Sequence, residues 1–315
     1  MKDIQIAIIG AGIGGMTAAV TLAQKGFKVK VFEQAPELSE VGAGLTVTPN
    51  ATKGLIYLGL GEAMNKIGMA HDLQGVRHYQ TKEIIVPLKR GKHMLEKYGA
   101  YQFQVHRADI HDILIESLEK HSPGCVSIDH QLVGIDQKSD RVKLIFNNQA
   151  EYECDFVIGA DGTRSAVRKS ILGNDEPEFS GYVAWRGIVP TDGLDESDFD
   201  ECGSCAFISP GRVFARYLIR DAKEYNYVAF LATDEWAEEG WSIPSKVETV
   251  LETFSDYNQQ VKNIISATPP EGCYKWGIFT RQPIAKWSSE RVTLLGDAAH
   301  PLEPFMGQGA SMAIE

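Results

Sequence analysis

Four residues near the amino terminus are spaced to hold a pair of phosphates and a ribose. Gly10, Gly12 and Gly15 form GxGxxG within the run Gly10-Ala11-Gly12-Ile13-Gly14-Gly15, and Glu33 lies 18 residues beyond Gly15. The first glycine permits a tight turn, the second lets main chain approach a pyrophosphate, and the third lets helix and strand pack closely. A helix opening there offers free N–H groups and a positive dipole end to the phosphates. Glu33 falls near the expected spacing of about 20 residues, where a carboxylate accepts from ribose hydroxyls. Its charge would repel a 2′-phosphate. The pattern therefore points to the ADP half of FAD or NAD rather than NADP. GxGxxG alone is a weak signal; its place between a strand and a helix is what gives it weight.

The elements around the motif read consistently. Residues 3–9 are a short β-branched run ended by glycine, a buried strand. Residues 14–25 predict a helix with Met16, Ala19, Val20 and Ala23 on one face and Gly26 as its cap. Residues 27–32 alternate as a second strand that ends at Glu33. Strand, glycine turn, helix, strand is a βαβ unit with a right-handed crossover in a parallel sheet. Two later runs, 154–162 and 291–297, repeat an apolar strand ending in glycine and aspartate, at Asp161 and Asp297. Aspartates at the carboxyl ends of parallel strands stand where such sheets bind ligands.

Between those runs the texture changes. Residues 182–189, 206–219 and 225–232 predict aromatic-rich strands, and 247–265 an amphipathic helix. This is the pattern of an α+β insert with a mixed sheet. The expected organisation is an α/β, Rossmann-like doubly wound dinucleotide domain built from 1–70, 106–173 and 281–315, carrying a substrate domain over 174–280. Residues 71–105 are expected to lend strands to that insert.

Lys and Arg total 31 against 42 Asp and Glu, a net charge of −11, and no basic stripe appears, so nucleic acid is not an expected partner. The apolar run 4–9 stops at Gly10, too short for a signal peptide or a membrane span, which points to the cytoplasm. Cys202-Gly-Ser-Cys205 has CxxC spacing, but one such pair completes no zinc site. It reads as two loop thiols, and no metal is expected. The closing run Gly307–Glu315 starts a helix without finishing it, so the natural chain is expected to continue beyond it.

Four motifs in order carry a resemblance. They are the glycine loop with Glu33; Val105-His-Arg107-Ala-Asp-Ile-His; Gly159-Ala-Asp161-Gly162-Thr-Arg164-Ser-Ala-Val-Arg168; and Gly296-Asp297-Ala-Ala-His300-Pro301 with Gly307-Gln-Gly309. The chain resembles the single-component (class A) FAD-dependent aromatic hydroxylases. Gly42-Ala-Gly44, Gly181-Tyr-Val-Ala-Trp-Arg186 and Gly309-Ala-Ser-Met-Ala-Ile make it most similar to the salicylate and hydroxynicotinate branch. The resemblance implies a para-hydroxybenzoate hydroxylase-like fold with FAD as cofactor and NADH or NADPH as transient co-substrate. No second GxGxxG-plus-acid unit exists to bind the nicotinamide separately. It further implies oxygen transfer from a flavin hydroperoxide to a small aromatic, a hydroxylated carboxylate or an N-heterocycle.

For cofactor contacts it implies Gly10, Gly12, Ile13, Gly14, Gly15, Glu33, Gln34, Gly44, Arg107, Leu132, Asp161, Asp297, Pro301, Gly307 and Gly309. It links Arg168 to the NAD(P)H pyrophosphate. Trp185 and Tyr217 are the substrate candidates, and Tyr217, Thr46 and His300 the catalytic ones. A tyrosine can orient a phenol by hydrogen bond, and a histidine can shuttle a proton. Thr46 stands where the hydroxynicotinate branch carries histidine, which argues against that one substrate. Two alternatives remain open: an FAD-dependent reductase or dehydrogenase on the same fold, and a flavin-binding protein without turnover. The oligomeric state stays open between monomer and homodimer.

Overall fold

Strand Gln5–Ile9 sends Ile8 to one face and Ala7 and Ile9 to the other, and both faces are covered. It is the centre of a five-stranded sheet in the order Val292–Leu294, Phe156–Gly159, Gln5–Ile9, Lys28–Phe32, Val126–Ser127, with every pair parallel. A parallel sheet buried on both faces needs such near-continuous apolar strands. On one face, helices Ile13–Gln24 and Arg107–His121 bring Met16, Ala19, Val20, Ile110 and Leu114 onto Ile8, Val29 and Val31. On the other, a three-stranded antiparallel sheet and helix Ala166–Leu172 bring Leu144, Phe146 and Val167 onto Ala7, Ile9, Phe32 and Val157. The computed structural model describes residues 3–38, 42–137, 140–173, 175–234 and 243–315. Met1, Lys2 and Asn174, where the expected first residues and the expected start of the insert fall, lie outside the described residues.

The second sheet has eight strands, in the order Ile243–Pro244, Tyr274–Thr280, Glu178–Pro190, Glu224–Ala232, Arg212–Ile219, Ser204–Ser209, Leu73–His78, Ile84–Lys89. All its pairs are antiparallel except Ser204–Ser209 with Leu73–His78. One face packs Trp185, Phe207, Phe214 and Tyr227 beneath Val250, Val261 and Ile264 of two helices and Phe254 between them. The other face turns towards the parallel-sheet half. There the Phe305 ring lies 5.0 Å from those of both Tyr182 and Phe230.

Several expectations are corrected. The strand expected over 206–219 is a hairpin of Ser204–Ser209 and Arg212–Ile219. It turns at Pro210-Gly211, where Gly211 has φ +71°, a conformation costly for other residues. The helix expected over 247–265 is two, Val247–Thr253 and Gln259–Ser266, and the second is capped by the Asn258 side chain accepting from Val261 N–H. Asn258 is a strong N-cap residue, so the apolar periodicity restarts there instead of running through. Within 71–105, two strands join the large sheet, but Phe103–His106 pairs with Gly44–Val47 instead. Of the two expected loop thiols, Cys202 lies in a loop and Cys205 does not. Cys205 sits within a strand, both are buried, and Cys202 Sγ lies 3.4 Å from Arg77 Nη2.

Among the described residues, no helix is long and apolar enough to cross a membrane. No group of three or more His, Cys, Asp or Glu is placed to hold a metal ion there either.

Candidate cofactor and substrate site

The glycine loop is shaped by contacts that only hydrogen can make. A Cβ on Gly15 would stand 2.0 Å from Gly10 O, and one on Gly10 would stand 2.4 Å from Ala160 O. Real Cβ atoms do not come so close, so helix, turn and neighbouring strand meet here through main chain. A Cβ on Gly12 would meet nothing within 4 Å, and its φ of −68° suits any residue. The space beside Gly12 is thus open to a ligand, whereas that beside Gly10 and Gly15 is closed by protein. Gly14 is closed too: its Cβ would stand 3.1 Å from Ala313 Cβ. Ile13, the first residue of the helix, is buried.

Glu33 ends the second strand and faces the loop. Its Oε2 accepts from Ala11 N–H at 2.8 Å and its Oε1 from Ala35 N–H at 2.9 Å. Each oxygen keeps a lone pair for a ribose hydroxyl. Gln34 follows, exposed. His111 was not anticipated: it is buried, and a ring nitrogen lies 2.5 Å from Ala11 O, fixing the loop from behind. Leu132 is buried in the same core cluster as Phe32, so its side chain is not open to a ligand.

Asp297, Arg107 and His300 are brought together at the ends of the parallel strands. Asp297 is open at its surface but set in a protein wall. Partial desolvation pushes its carboxyl above the ordinary range, and the positive charges of Arg107 and His300 act in the opposite sense. Gly309 opens the last helix beside Asp297: a Cβ there would stand 3.9 Å from Asp297 Oδ1. Gly307 has φ +60° and faces Thr46. The His300 ring lies 5.1 Å from that of Trp287, and its buried Nδ1 has no hydrogen-bond partner among the described residues. Pro301 follows it, half-buried.

Asp161 and Arg168 are drawn into the protein. The Asp161 carboxylate pairs with Ser165 Oγ and accepts from Val167 N–H, so it starts the helix Ala166–Leu172. Burial raises its carboxyl, and these hydrogen bonds oppose the rise. Arg168 is buried. Its Nη1 donates to the carbonyls of Ala298 at 3.1 Å and Ala299 at 3.0 Å, and its Nε pairs with Asp175. Its Nη2 has no hydrogen-bond partner among the described residues. Beside it a cleft of about 470 Å³ is lined by Arg164, Lys169 and Arg281 as well.

The seam between the two halves centres on Gly44. Its N–H donates to Asn226 Oδ1 at 2.6 Å. A Cβ on Gly44 would stand 2.7 Å from Tyr217 Cε2 and 2.8 Å from Asn226 Cβ. Tyr217 and Asn226 are cross-strand partners. Burial pushes the Tyr217 phenol well above its ordinary range, and the Asn226 amide acts against that shift. The same face of the sheet continues through Val213, Val228 and Phe230, which are apolar. A second tie across the seam is Arg220, whose Nη2 and Nε meet Asp109 Oδ1 and Oδ2 at 2.6 and 3.0 Å. Trp185 is not brought to this face. It packs under the helices, and its Nε1 donates to Ser245 Oγ at 3.1 Å. Strand alternation places Trp185 opposite to Ala184, the neighbour that does face the seam.

Asn226 was missed in the sequence. The signal was there: an asparagine between Tyr225 and Tyr227 in a strand is a poor strand former at a buried position.

A family model described as an FAD binding domain matches residues 3–315. The chain belongs to this FAD-binding family. It is 36% identical to 6-hydroxynicotinate 3-monooxygenase of Pseudomonas fluorescens, over 99% of this chain and 80% of the relative. It is 34% identical to 3-hydroxybenzoate 6-hydroxylase 1 of Aquipseudomonas alcaligenes, over 98% of this chain and 78% of that protein. Among solved structures, HpxO of Klebsiella pneumoniae complexed with FAD and uric acid superposes with a TM-score of 0.87 at 26% identity, covering 99% of this chain and 77% of that one. A salicylate hydroxylase substrate complex superposes with a TM-score of 0.81 at 25% identity, covering 99% and 77%. The fold is that of the class A flavin hydroxylases, and the cofactor is FAD. The residues present fit that cofactor: Gly12 leaves main chain open to a pyrophosphate, Glu33 stands at the strand tip, and His300 Nδ1, on the residue whose charge acts on Asp297, is a buried polar atom with no partner among the described residues.

Proposed function

We propose that this flavoprotein is a monooxygenase that hydroxylates a small aromatic ring at the seam between its two halves, using NAD(P)H and dioxygen. The observation that carries the reading is the placement of Tyr217. The half-buried Tyr217 phenol stands against the Gly44–Val47 strand, on a sheet face that also carries Val213, Val228, Phe230 and Trp276. A largely apolar wall with a few polar groups, the Tyr217 hydroxyl among them, suits a hydroxylated aromatic acid or N-heterocycle. The relatives named for hydroxynicotinate and hydroxybenzoate support the same class.

FAD, when bound, supplies the redox and oxygen-transfer chemistry. The chain's own residues bind and orient. The loop at Gly12 takes the pyrophosphate, Glu33 the ribose, and Asp297 and Arg107 the region where the parallel strands end. Gly44, Thr46, Gly307 and Gly309 present main chain and small side chains, so a flat ring system can lie close to the backbone. Tyr217 holds an oxygen of the substrate ring by hydrogen bond, and the apolar face excludes water. His300 is placed to accept or return a proton at its ring nitrogens. The cleft at Arg168, with Arg164, Lys169 and Arg281, is the place for the phosphates of NAD(P)H.

The test is a panel of hydroxybenzoates and hydroxynicotinates added to the FAD-loaded protein. At least one should stimulate NAD(P)H oxidation, with dioxygen uptake and hydroxylated product in equal amounts. Stimulated oxidation without any hydroxylated product from any member would leave a reductase instead.

A further inference from the structure

Asn226 is 1% exposed and lies directly across the ladder from Tyr217. Its amide orientation is fixed by its neighbour. Gly44 N–H is a donor, so the atom 2.6 Å away must be the amide oxygen, and the Asn226 Nδ2 group is left as a donor. That nitrogen is buried and meets no acceptor in hydrogen-bond geometry among the described residues. A buried donor left unmet is costly, so a small adjustment that brings it an acceptor is favoured. The acceptor within reach on this face is the Tyr217 phenol oxygen. The amide already pulls the phenol's acidity in the direction a donor would.

A phenol oxygen that accepts from Asn226 must point its own proton elsewhere. The side towards Gly44 is closed, because Tyr217 Cε2 lies within 2.7 Å of where a Gly44 Cβ would be. The same face carries the side chains of Val213 and Val228, which offer that proton no acceptor.

We propose that Asn226 is a positioning residue: held by Gly44, it donates to the Tyr217 oxygen and thereby fixes Tyr217 as a hydrogen-bond donor to an oxygen of the substrate ring. The inference rests on the hydroxylase reading of this site. It makes the site selective for rings carrying an acceptor oxygen there, a phenolate or a ring carbonyl.

The test uses Asn226→Asp in the FAD-loaded full chain. The carboxylate keeps an oxygen for Gly44 N–H, but its second oxygen accepts where the amide donated, so it turns the phenol proton inward. With 3-fluorotyrosine at position 217, the fluorine resonance should shift in this variant without any substrate present. For whichever of 3-hydroxybenzoate and 6-hydroxynicotinate stimulates NAD(P)H oxidation, KM should rise about 10-fold, the size of one lost hydrogen bond. FAD affinity should stay within about 2-fold, because the Gly44 contact is kept. Adding Tyr217→Phe should cost nothing further, since both changes remove the same bond. An unmoved fluorine resonance, additive losses in the double variant, or a loss of FAD affinity that parallels the KM change would each overturn the proposal. Should Asn226→Asp not fold, the fluorine shift is read in Asn226→Ala, with the same two outcomes. If neither probe stimulates oxidation, the functional reading fails, while the fluorine result still decides the pairing of Asn226 with Tyr217.

Discussion

The two sheets are built on similar strands yet serve the site in opposite ways. The five-stranded parallel sheet is covered on both faces, and what it offers a ligand lies at its strand ends: main chain at Gly12, one carboxylate at Glu33, another at Asp297. The eight-stranded sheet is covered by helices on one face, and its other face, turned towards the parallel-sheet half, is the wall of the proposed site. On the proposed reading the first binds through backbone geometry, which tolerates few residue types. On the same proposed reading the second binds through side chains projecting from a pleat, where one exchange would alter what is recognised but not how the strand pairs. The cofactor end is therefore expected to break through sterics, and the substrate face through polarity.

The sharpest way to break this contrast lies within the glycine loop. Gly15→Ala places a methyl 2.0 Å from Gly10 O, where no flexible side chain can yield. It should cost about 3 kcal/mol or more of stability, lower the Tm by roughly 5 °C or more, and abolish FAD retention. Gly12→Ala meets no protein atom. Its apoprotein should melt at or slightly above the wild-type temperature, by about 0.4–1 kcal/mol, while FAD affinity falls. Paired melting curves and flavin titrations read both. Equal stability loss in the two variants would show that the space beside Gly12 is not a ligand's.

Glu33→Ala should weaken FAD binding by about 1–3 kcal/mol, the range for lost charge-assisted hydrogen bonds. Part of that loss comes from the main-chain donors Ala11 and Ala35, which lose their shared acceptor. A flavin fluorescence titration with an unchanged Kd would place the ribose elsewhere.

Asp297 gives a pH-dependent test. Its folded-state carboxyl is raised, so above that value the folded apoprotein carries a charge it disfavours relative to the unfolded chain. That penalty is present at neutral pH and disappears as pH falls below the ordinary carboxylate range. Asp297→Asn should raise the apoprotein's Tm near neutrality, lose this advantage in acid, and bind FAD less well. A Tm difference that is flat with pH would show that Asp297 is not desolvated in the wall.

The smallest effect is expected at the outer tie between the halves. Arg220 is 37% exposed where it meets Asp109, so screening limits the pair to about 0–1 kcal/mol. Arg220→Ala should barely move the Tm. A drop of many degrees in differential scanning would mean that this pair, rather than Gly44 with Asn226, holds the seam.

The contrast also explains what could be read in the sequence. Glycines at 10, 12 and 15 and the acid at 33 were legible because each answers to a local main-chain requirement. Tyr217 came through the family resemblance. The partners of Asn226 and His111 were not legible: each acts on a residue a hundred or more positions away, Gly44 for one and Ala11 for the other. Trp185 was drawn to the site by its motif, yet strand alternation turns it to the helix-covered face. The hairpin at Pro210-Gly211 is masked in the sequence because the apolar residues on either side read as a single run, although the dipeptide is itself a turn signal.

The most direct measurement is the origin of the oxygen in the product. FAD-loaded protein, NAD(P)H and a stimulating hydroxylated aromatic are incubated under isotopically labelled dioxygen in ordinary water, and the product is weighed by mass spectrometry. A flavin monooxygenase with this site should yield product carrying one labelled oxygen atom on the ring, with labelled product matching NAD(P)H consumed. Product whose added oxygen comes from water, or NAD(P)H consumed with the aromatic returned unchanged, would contradict the account.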